Sequence, residues 1–315
     1  MTDTWKCLHG MDEDVEFLLQ QLPQACLKYD YLLHATLALC ATDLAIHGDS
    51  KSLQAYDTKF YLATALSYYD SASQTLRPQL AKVHHDSQVW LYMASVMLTM
   101  IQMSLPQCIP LQPDEPQPTT IERMGLIIDL FTGNGKVALA DWFSFNAGPG
   151  GGMVQTAIRL VAGPPPTDID PTLQSVLSNM AAVVSDPTNI DSEVNAPQYH
   201  AAYTRVLKLL ELSLIEEARG QIQGMVVSVP MYCGRDFFTA VTESQPTALF
   251  LLIIFGALVE RGARSGYWWA NHIGPGLITE ATEILARTQP HLVLAPHWHE
   301  VIAWASNEAG LPLLI

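Results

Sequence analysis

Residues 246–285 read PTALFLLIIFGALVERGARSGYWWANHIGPGLITEATEIL, an apolar run followed by a glycine turn, a tryptophan pair and a second helical pattern. The segment from Thr247 to Val259 is apolar on every side, and a helix without a polar face must be buried in protein or lipid. A membrane-spanning helix needs about 18 uninterrupted apolar residues, whereas Glu260 and Arg261 end this run earlier. The stretch therefore predicts a buried core helix and no membrane span.

One glycine and a tryptophan pair mark this stretch as a place of close contact. Gly256 interrupts the middle of the helix, where alanine would be more stable, so another helix or a ligand is expected to approach closely. Trp268 and Trp269 follow a glycine turn, and two adjacent indoles offer the rigid apolar faces that suit a flat cavity. The alternative, packing in an ordinary helical core, is favoured by burial statistics.

Composition and charge limit the class of protein. Of the 315 residues, 49% are hydrophobic and 15% are charged, which is typical of a folded globule. The formal net charge of −15 would repel phosphate backbones, so we expect no direct binding to nucleic acid. A tight gel shift by the isolated chain at physiological salt would contradict this expectation.

The cysteines and the N-terminal sequence indicate an intracellular compartment. The five cysteines are scattered, odd in number and never spaced as C-x-x-C, which favours reduced thiols over a disulfide framework or a zinc site. Met11 to Glu16 is acidic, so no signal peptide is indicated. We expect a cytoplasmic or nuclear protein.

The remaining sequence is typical of helices. Tyr31 to Ile46 is apolar nearly all round, and Trp90, Met93, Met97 and Met100 recur at steps of three and four, which predicts helices. The only β-branched run is MVVSV at 225–229. We predict an all-α fold, a single domain over residues 1–315 with about nine to twelve helices.

Two segments interrupt this helical pattern. Residues 106–118 are rich in proline, which excludes a helix or a central strand, so we predict a surface loop there. Residues 186–197 form a polar connector between two helices. We interpret both segments as inserts within the one domain.

The common motifs of catalysis are missing from the sequence. Gly133-Asn134-Gly135-Lys136 lacks the Ser or Thr of a phosphate-binding loop, and no nucleophile elbow or H-E-x-x-H helix occurs. His297 and His299 lie near Glu300, but two residues at this spacing point apart on a helix, so we predict no metal site and no cofactor. No residue is assigned as catalytic.

Without these motifs, the kind of functional site that the sequence still predicts is a shaped apolar cavity. The methionine stripe suits a wall against a bulky apolar ligand because thioethers adapt their shape, although core packing is the favoured alternative. The candidate lining residues are Met93, Met97, Trp142, Trp268 and Trp269, with Tyr92, His34, His272 or Asp43 as polar members.

Three short segments, spread in order along nearly the whole chain, match the pattern of a known family. They are LLHATLALCA at 32–41, LFTG at 130–133, and Trp268-Trp269 followed by Trp298 and IAWA at 302–305. Together they resemble the C-terminal regulatory domain of fungal zinc-cluster transcription factors, in the group that includes sterol uptake control proteins. The matching family patterns are "LLHAILALSA", "LFRG" and "WW…W…I.WP".

The resemblance implies an all-α effector domain whose pocket, in sterol-sensing members, takes an apolar polycyclic ligand. Two features depart from the family: the six-cysteine zinc cluster is missing, and Ala305 stands where the family has proline. The missing zinc cluster suggests a truncated regulator, a partner of another DNA-binding protein, or a pocket reused for chemistry on an apolar metabolite.

Two functions are therefore expected from the sequence. The first is a cofactor-free cyclase or isomerase of fungal secondary metabolism, which would fold an apolar terpenoid, sterol or polyketide substrate into a reactive shape. The alternative is a ligand-sensing regulator that acts through a zinc-cluster partner protein or as a homo-oligomer. The missing DNA-binding module favours the enzyme slightly, and the resemblance favours the regulator.

Overall fold

The structure is a computed structural model that describes residues 4–48, 58–109, 118–149, 151–164, 166–185 and 196–312. Within these ranges every regular element is helical and no strand occurs, which confirms the all-α fold. The α-helices are α1 Asp14–Glu16, α2 Leu22–Cys26, α3 Asp30–His47, α4 Thr58–Leu80, α5 Gln88–Cys108, α6 Thr120–Leu139, α7 Trp142–Ala147, α8 Gly151–Val161, α9 Pro171–Ser185, α10 Ala196–Arg219, α11 Ser228–Tyr232, α12 Arg235–Thr242, α13 Pro246–Arg264, α14 Ile273–Thr288, α15 Pro290–Val293 and α16 Pro296–Glu308. A π-helical turn, Phe17–Gln21, joins α1 to α2, and short 3-10 segments lie at Thr4–Leu8, Met225–Val227 and Trp268–Ala270.

The chain forms two compact units that are interleaved along the sequence. The first unit comprises Met1–Glu115, Gly133–Ala162 and Gly266–Trp269, and the second comprises Pro116–Thr132, Gly163–Ser265 and Ala270–Ile315. Neither unit is one continuous segment, because the chain passes between them several times. The single domain expected from the sequence stays a prediction.

The first unit is organised around helix α3, which packs against α4 and α5. Small residues let the helices approach closely, and Ala35 and Ala38 of α3 are completely buried. In the same unit, the ring of Phe17 stacks parallel to Trp90 of α5 with 5.3 Å between the ring centroids. The apolar, alanine-rich sequence of α3 thus serves close helix packing.

The second unit is organised around helix α13, which packs against α14, α16 and α10. Every residue from Pro246 to Val259 is buried, so the predicted core helix is confirmed. A Cβ atom on Gly256 would lie 3.0 Å from the carbonyl oxygen of Gly274 in α14. The close approach expected at Gly256 is therefore a helix–helix crossing.

Two helices, Gln88–Cys108 and Pro246–Arg264, are long and apolar enough to cross a membrane by length and composition. Most of each apolar window is buried inside the protein, 72% and 83% respectively. Core helices of folded proteins show the same burial, so these two segments are weak evidence for a membrane span.

Two helices run through residues that commonly end a helix. Helix α6 continues through Gly133-Asn134-Gly135, where the buried Asn134 side chain donates a hydrogen bond of 3.1 Å to Thr99 Oγ1. Helix α5 includes Pro106 and ends at Cys108, so the proposed loop starts later than predicted. A proline in the last turn of a helix removes only one backbone hydrogen bond there, which tertiary packing offsets.

The two predicted inserts lie mostly outside the described residues, which exclude 110–117 and 186–195. The polar connector is shorter than predicted at its end, because α10 begins at Ala196. The β-branched run at 225–229 is a 3-10 turn followed by the start of α11. Local β propensity is a weak preference that tertiary context overrides.

Candidate functional site

The predicted lining residues are divided between the two units. Met93, Met97, Trp142, Trp268, Trp269, Tyr92 and His34 belong to the first unit, as does Asp43, whereas His272 belongs to the second. His272 is exposed and has a left-handed backbone conformation, with φ of 69°, directly before α14.

The methionine stripe of α5 is packed into the first unit. Met97 is fully buried, and its sulfur lies 3.6 Å from the hydroxyl of Thr36 in α3. The same hydroxyl donates to the Leu32 carbonyl oxygen at 2.8 Å. These are contacts of a helix–helix core, and Met93 is buried as well. That the stripe also lines a ligand cavity stays a prediction.

The tryptophan pair packs beside the N-terminal 3-10 turn at Thr4–Leu8. The indole nitrogen of Trp269 donates to the Cys7 carbonyl oxygen at 3.4 Å, and Gln107 Nε2 donates to the Trp268 carbonyl oxygen at 2.9 Å. Both indoles are buried. Burial, with neighbouring charge on Asp43, raises the pKa of the Cys7 thiol far above its usual range, which disfavours the nucleophilic thiolate.

The other three predicted residues of the first unit lie in aromatic contacts. Tyr92 and Trp142 both contact the ring of Phe145, with centroid distances of 5.5 Å and 6.4 Å. The His34 ring stacks on Tyr68 at 6.0 Å. The structure thus brings Tyr92 and Trp142 to one aromatic cluster.

An acid–base pair lies next to Trp268. His47 Nδ1 is 2.8 Å from Asp43 Oδ1, while Asp43 Oδ2 accepts a hydrogen bond of 2.6 Å from Thr4 Oγ1. The His47 ring is half-exposed and meets Trp268 edge to face at 5.7 Å. The carboxylate holds one ring nitrogen, which leaves Nε2 available for proton transfer. Sequence reasoning named Asp43 but missed His47, although their spacing of four residues on a helix was the signal.

A groove of about 580 Å³ lies between α9 and α16 in the second unit. Its apolar lining includes Val176, Ala303 and Trp304, and its polar groups include Ser175 and Asn179. The full lining consists of Pro171, Thr172, Ser175, Val176, Asn179, His299, Glu300, Ala303, Trp304 and Asn307. We call this site the α9–α16 groove.

A buried amide organises the polar side of the α9–α16 groove. Asn179 is 6% exposed, and its Nδ2 donates to Glu300 Oε2 at 2.8 Å. Its Oδ1 lies 2.7 Å from His297 Nδ1, and Ser175 Oγ donates to Glu300 Oε2 at 3.3 Å. One buried side chain on α9 therefore holds two side chains of α16, which lie three residues apart on one face of that helix.

Two further cavities in the second unit fit a ligand less well. The cavity lined by Met124, Phe237 and Leu252 is apolar but holds only about 10 Å³, the space of about one water molecule. A second groove of about 420 Å³ is flanked by Glu122, Glu283 and Arg287. There Glu280 accepts hydrogen bonds from the first backbone amides of α6, so its carboxylate already serves a helix end.

Among the residues that the structure describes, no group of three or more His, Cys, Asp or Glu side chains could hold a metal ion. His297 and His299 both lie on α16, where their spacing directs them apart. Only His299 lines the groove.

The chain was compared with protein families, curated proteins and solved structures. No protein-family model, curated protein or solved structure matches this chain.

Proposed function

We propose that this chain binds an apolar small molecule of the sterol, terpenoid or polyketide kind, and that the α9–α16 groove is the binding site. The observation that carries the proposal is the volume of about 580 Å³ combined with an apolar surface and a few ordered polar groups. Sites for small molecules are typically about 300–1,000 Å³ and combine these two features.

The groove favours recognition over cyclisation. Pro171, Thr172, Ser175 and Glu300 line it and are exposed to solvent. A cyclase gains rate by surrounding a flexible substrate and excluding water, which an open groove does not do. We therefore propose a ligand-sensing regulator that signals through a partner protein. The resemblance supports this function, because Trp304 belongs to the segment that carries it.

Ligand-induced stabilisation tests the binding proposal. A ligand at one hundred times its Kd stabilises the native state by about 2.7 kcal/mol, which raises Tm by several degrees. We expect this rise for members of a sterol, terpenoid and polyketide panel, measured by differential scanning calorimetry. Ala303→Trp fills the groove with an indole and should remove the rise.

Gln174→Trp is the matched control for this test. Gln174 lies on α9, is exposed, and is not part of the groove lining, so the added indole should leave ligand binding unchanged. If no compound of the panel raises Tm, or if Ala303→Trp binds as tightly as the parent protein, the groove is not the site.

We propose the cofactor-free isomerase or cyclase as a second candidate, favoured by the His47–Asp43 pair beside Trp268. A histidine that a carboxylate orients can act as a general acid or base without a metal or cofactor. General acid–base groups contribute about 10²–10⁴-fold to a rate.

The enzyme candidate is tested with unsaturated terpenoid and polyketide precursors. An isomerised product would keep the mass of its precursor but change its chromatographic retention. We expect His47→Gln to slow its formation at least a hundredfold. His291→Gln, at an exposed position in the second unit, is the control. Equal rates for His47→Gln and the parent protein would exclude this pair as the catalytic group.

A further inference from the structure

We infer that the α9–α16 groove selects a ligand whose apolar body carries a protonated amine, with Glu300 as the residue that binds it. This inference rests on the proposed binding function of the groove. It concerns the head group of the ligand, which the apolar surface of the groove does not determine.

The two oxygens of the Glu300 carboxylate differ in their contacts. Oε2 accepts hydrogen bonds from Asn179 Nδ2 at 2.8 Å and from Ser175 Oγ at 3.3 Å. Oε1 has no hydrogen-bond partner within the described ranges of the chain, and the side chain lines the groove. A carboxylate accepts several hydrogen bonds, so Oε1 has capacity left for a donor on the ligand.

The charge around this carboxylate favours a cation. Lysine and arginine are absent from the lining of the groove as the structure describes it, and His299 is the one basic side chain there. Among the residues that the structure describes, none forms an ion pair with Glu300. The chain carries a net charge of −15, which attracts cations to its surface and repels carboxylates.

The carboxylate is held in place before a ligand arrives. Asn179 is almost completely buried, and both ends of its amide are used, since Oδ1 accepts from His297 Nδ1 at 2.7 Å while Nδ2 donates to Glu300. A preorganised group loses little conformational entropy on binding, so its interaction contributes more to affinity. The same groove offers Val176, Ala303 and Trp304 to the apolar body of the ligand.

Three probes with one apolar body separate head group from body: 1-naphthylmethylamine, 1-naphthylmethanol and 1-naphthoic acid. Isothermal titration calorimetry at low salt should give the tightest binding for the amine, weaker binding for the alcohol and the weakest for the acid. Glu300→Gln should weaken amine binding about tenfold, as expected for a charge-assisted hydrogen bond at a partly exposed site. Alcohol binding should change less than twofold.

Glu283→Gln is the matched control, because it removes the same charge from an exposed position of the second unit outside this groove. It should leave the preference for the amine unchanged. Raising the salt concentration should weaken amine binding to the parent protein but not alcohol binding, since salt screens the ion pair. This measurement needs no variant.

The outcomes distinguish the two proposals. If the alcohol binds and Ala303→Trp blocks it, while the amine shows no preference, no salt dependence and no response to Glu300→Gln, the head-group inference is wrong and the binding groove stands. If none of the probes binds and the sterol, terpenoid and polyketide panel also fails, the proposed function itself is wrong.

Discussion

Gly274→Ala should lower the free energy of unfolding by about 3 kcal/mol, at the upper end of the usual cost of overpacking a core. A Cβ atom at this position would lie 2.5 Å from the carbonyl oxygen of Gly256 and 2.8 Å from the Cβ of Glu260. Both neighbours belong to the central helix α13, so α14 would have to move away from it. Urea unfolding of the variant, monitored by circular dichroism, measures the change.

Gly133→Ala is the matched control, since it makes the same substitution within another helix. A Cβ atom on Gly133, in α6, meets no atom within 4 Å beyond its chain neighbours and the backbone of its own helix. Replacing a helical glycine with alanine should therefore raise the free energy of unfolding by about 0.5–1 kcal/mol, through lower chain entropy. A free energy of unfolding for Gly274→Ala that stays unchanged or rises, as expected for Gly133→Ala, would show that the contact between α13 and α14 does not limit the position of Gly274.

Trp269→Ala should destabilise the first unit by about 3–5 kcal/mol, as expected when a buried tryptophan is removed. The indole is 3% exposed, and the substitution also removes its hydrogen bond to the Cys7 carbonyl oxygen. Trp142→Ala is the control: its indole is 37% exposed, so we expect a change below about 1 kcal/mol. Thermal unfolding of both variants gives the comparison.

The Cys7 thiol supplies a second measurement for Trp269→Ala. Cys7 is 1% exposed, and burial keeps its pKa high, so iodoacetamide should not modify it in the native parent protein at pH 8. Loss of the Trp269 indole should make it reactive, as peptide mass spectrometry would show. If the Trp269→Ala variant keeps full stability and its Cys7 stays unreactive, the Trp269 indole does not have a packing role. That result would favour the role in lining a ligand cavity that the sequence suggested.

The sequence predicted the elements whose pattern is local. The apolar run from Thr247 to Val259 has no polar face, so it had to be buried wherever the chain placed it, and the structure confirms this. The close contact at Gly256 was also predicted from the sequence, because a glycine inside a core helix indicates a close neighbour. The start of the proline-rich loop was predicted less well, since Pro106 disfavours a helix only through local propensity, which packing overrides.

The candidate site depends on contacts between helices that are far apart in the sequence. Asn179 lies 121 residues from Glu300 and 118 from His297, and Ser175 lies 125 from Glu300, so no local pattern connects α9 to α16. In the sequence, His297 and Glu300 lie close together, but they were considered only as metal ligands and no metal site was predicted. What joins them is the buried amide of Asn179, which needs partners for its polar atoms once the two helices pack together. Periodicity along the chain thus determined which faces are buried, whereas the helix that each face meets, and with it the groove, depended on the packing of the whole unit.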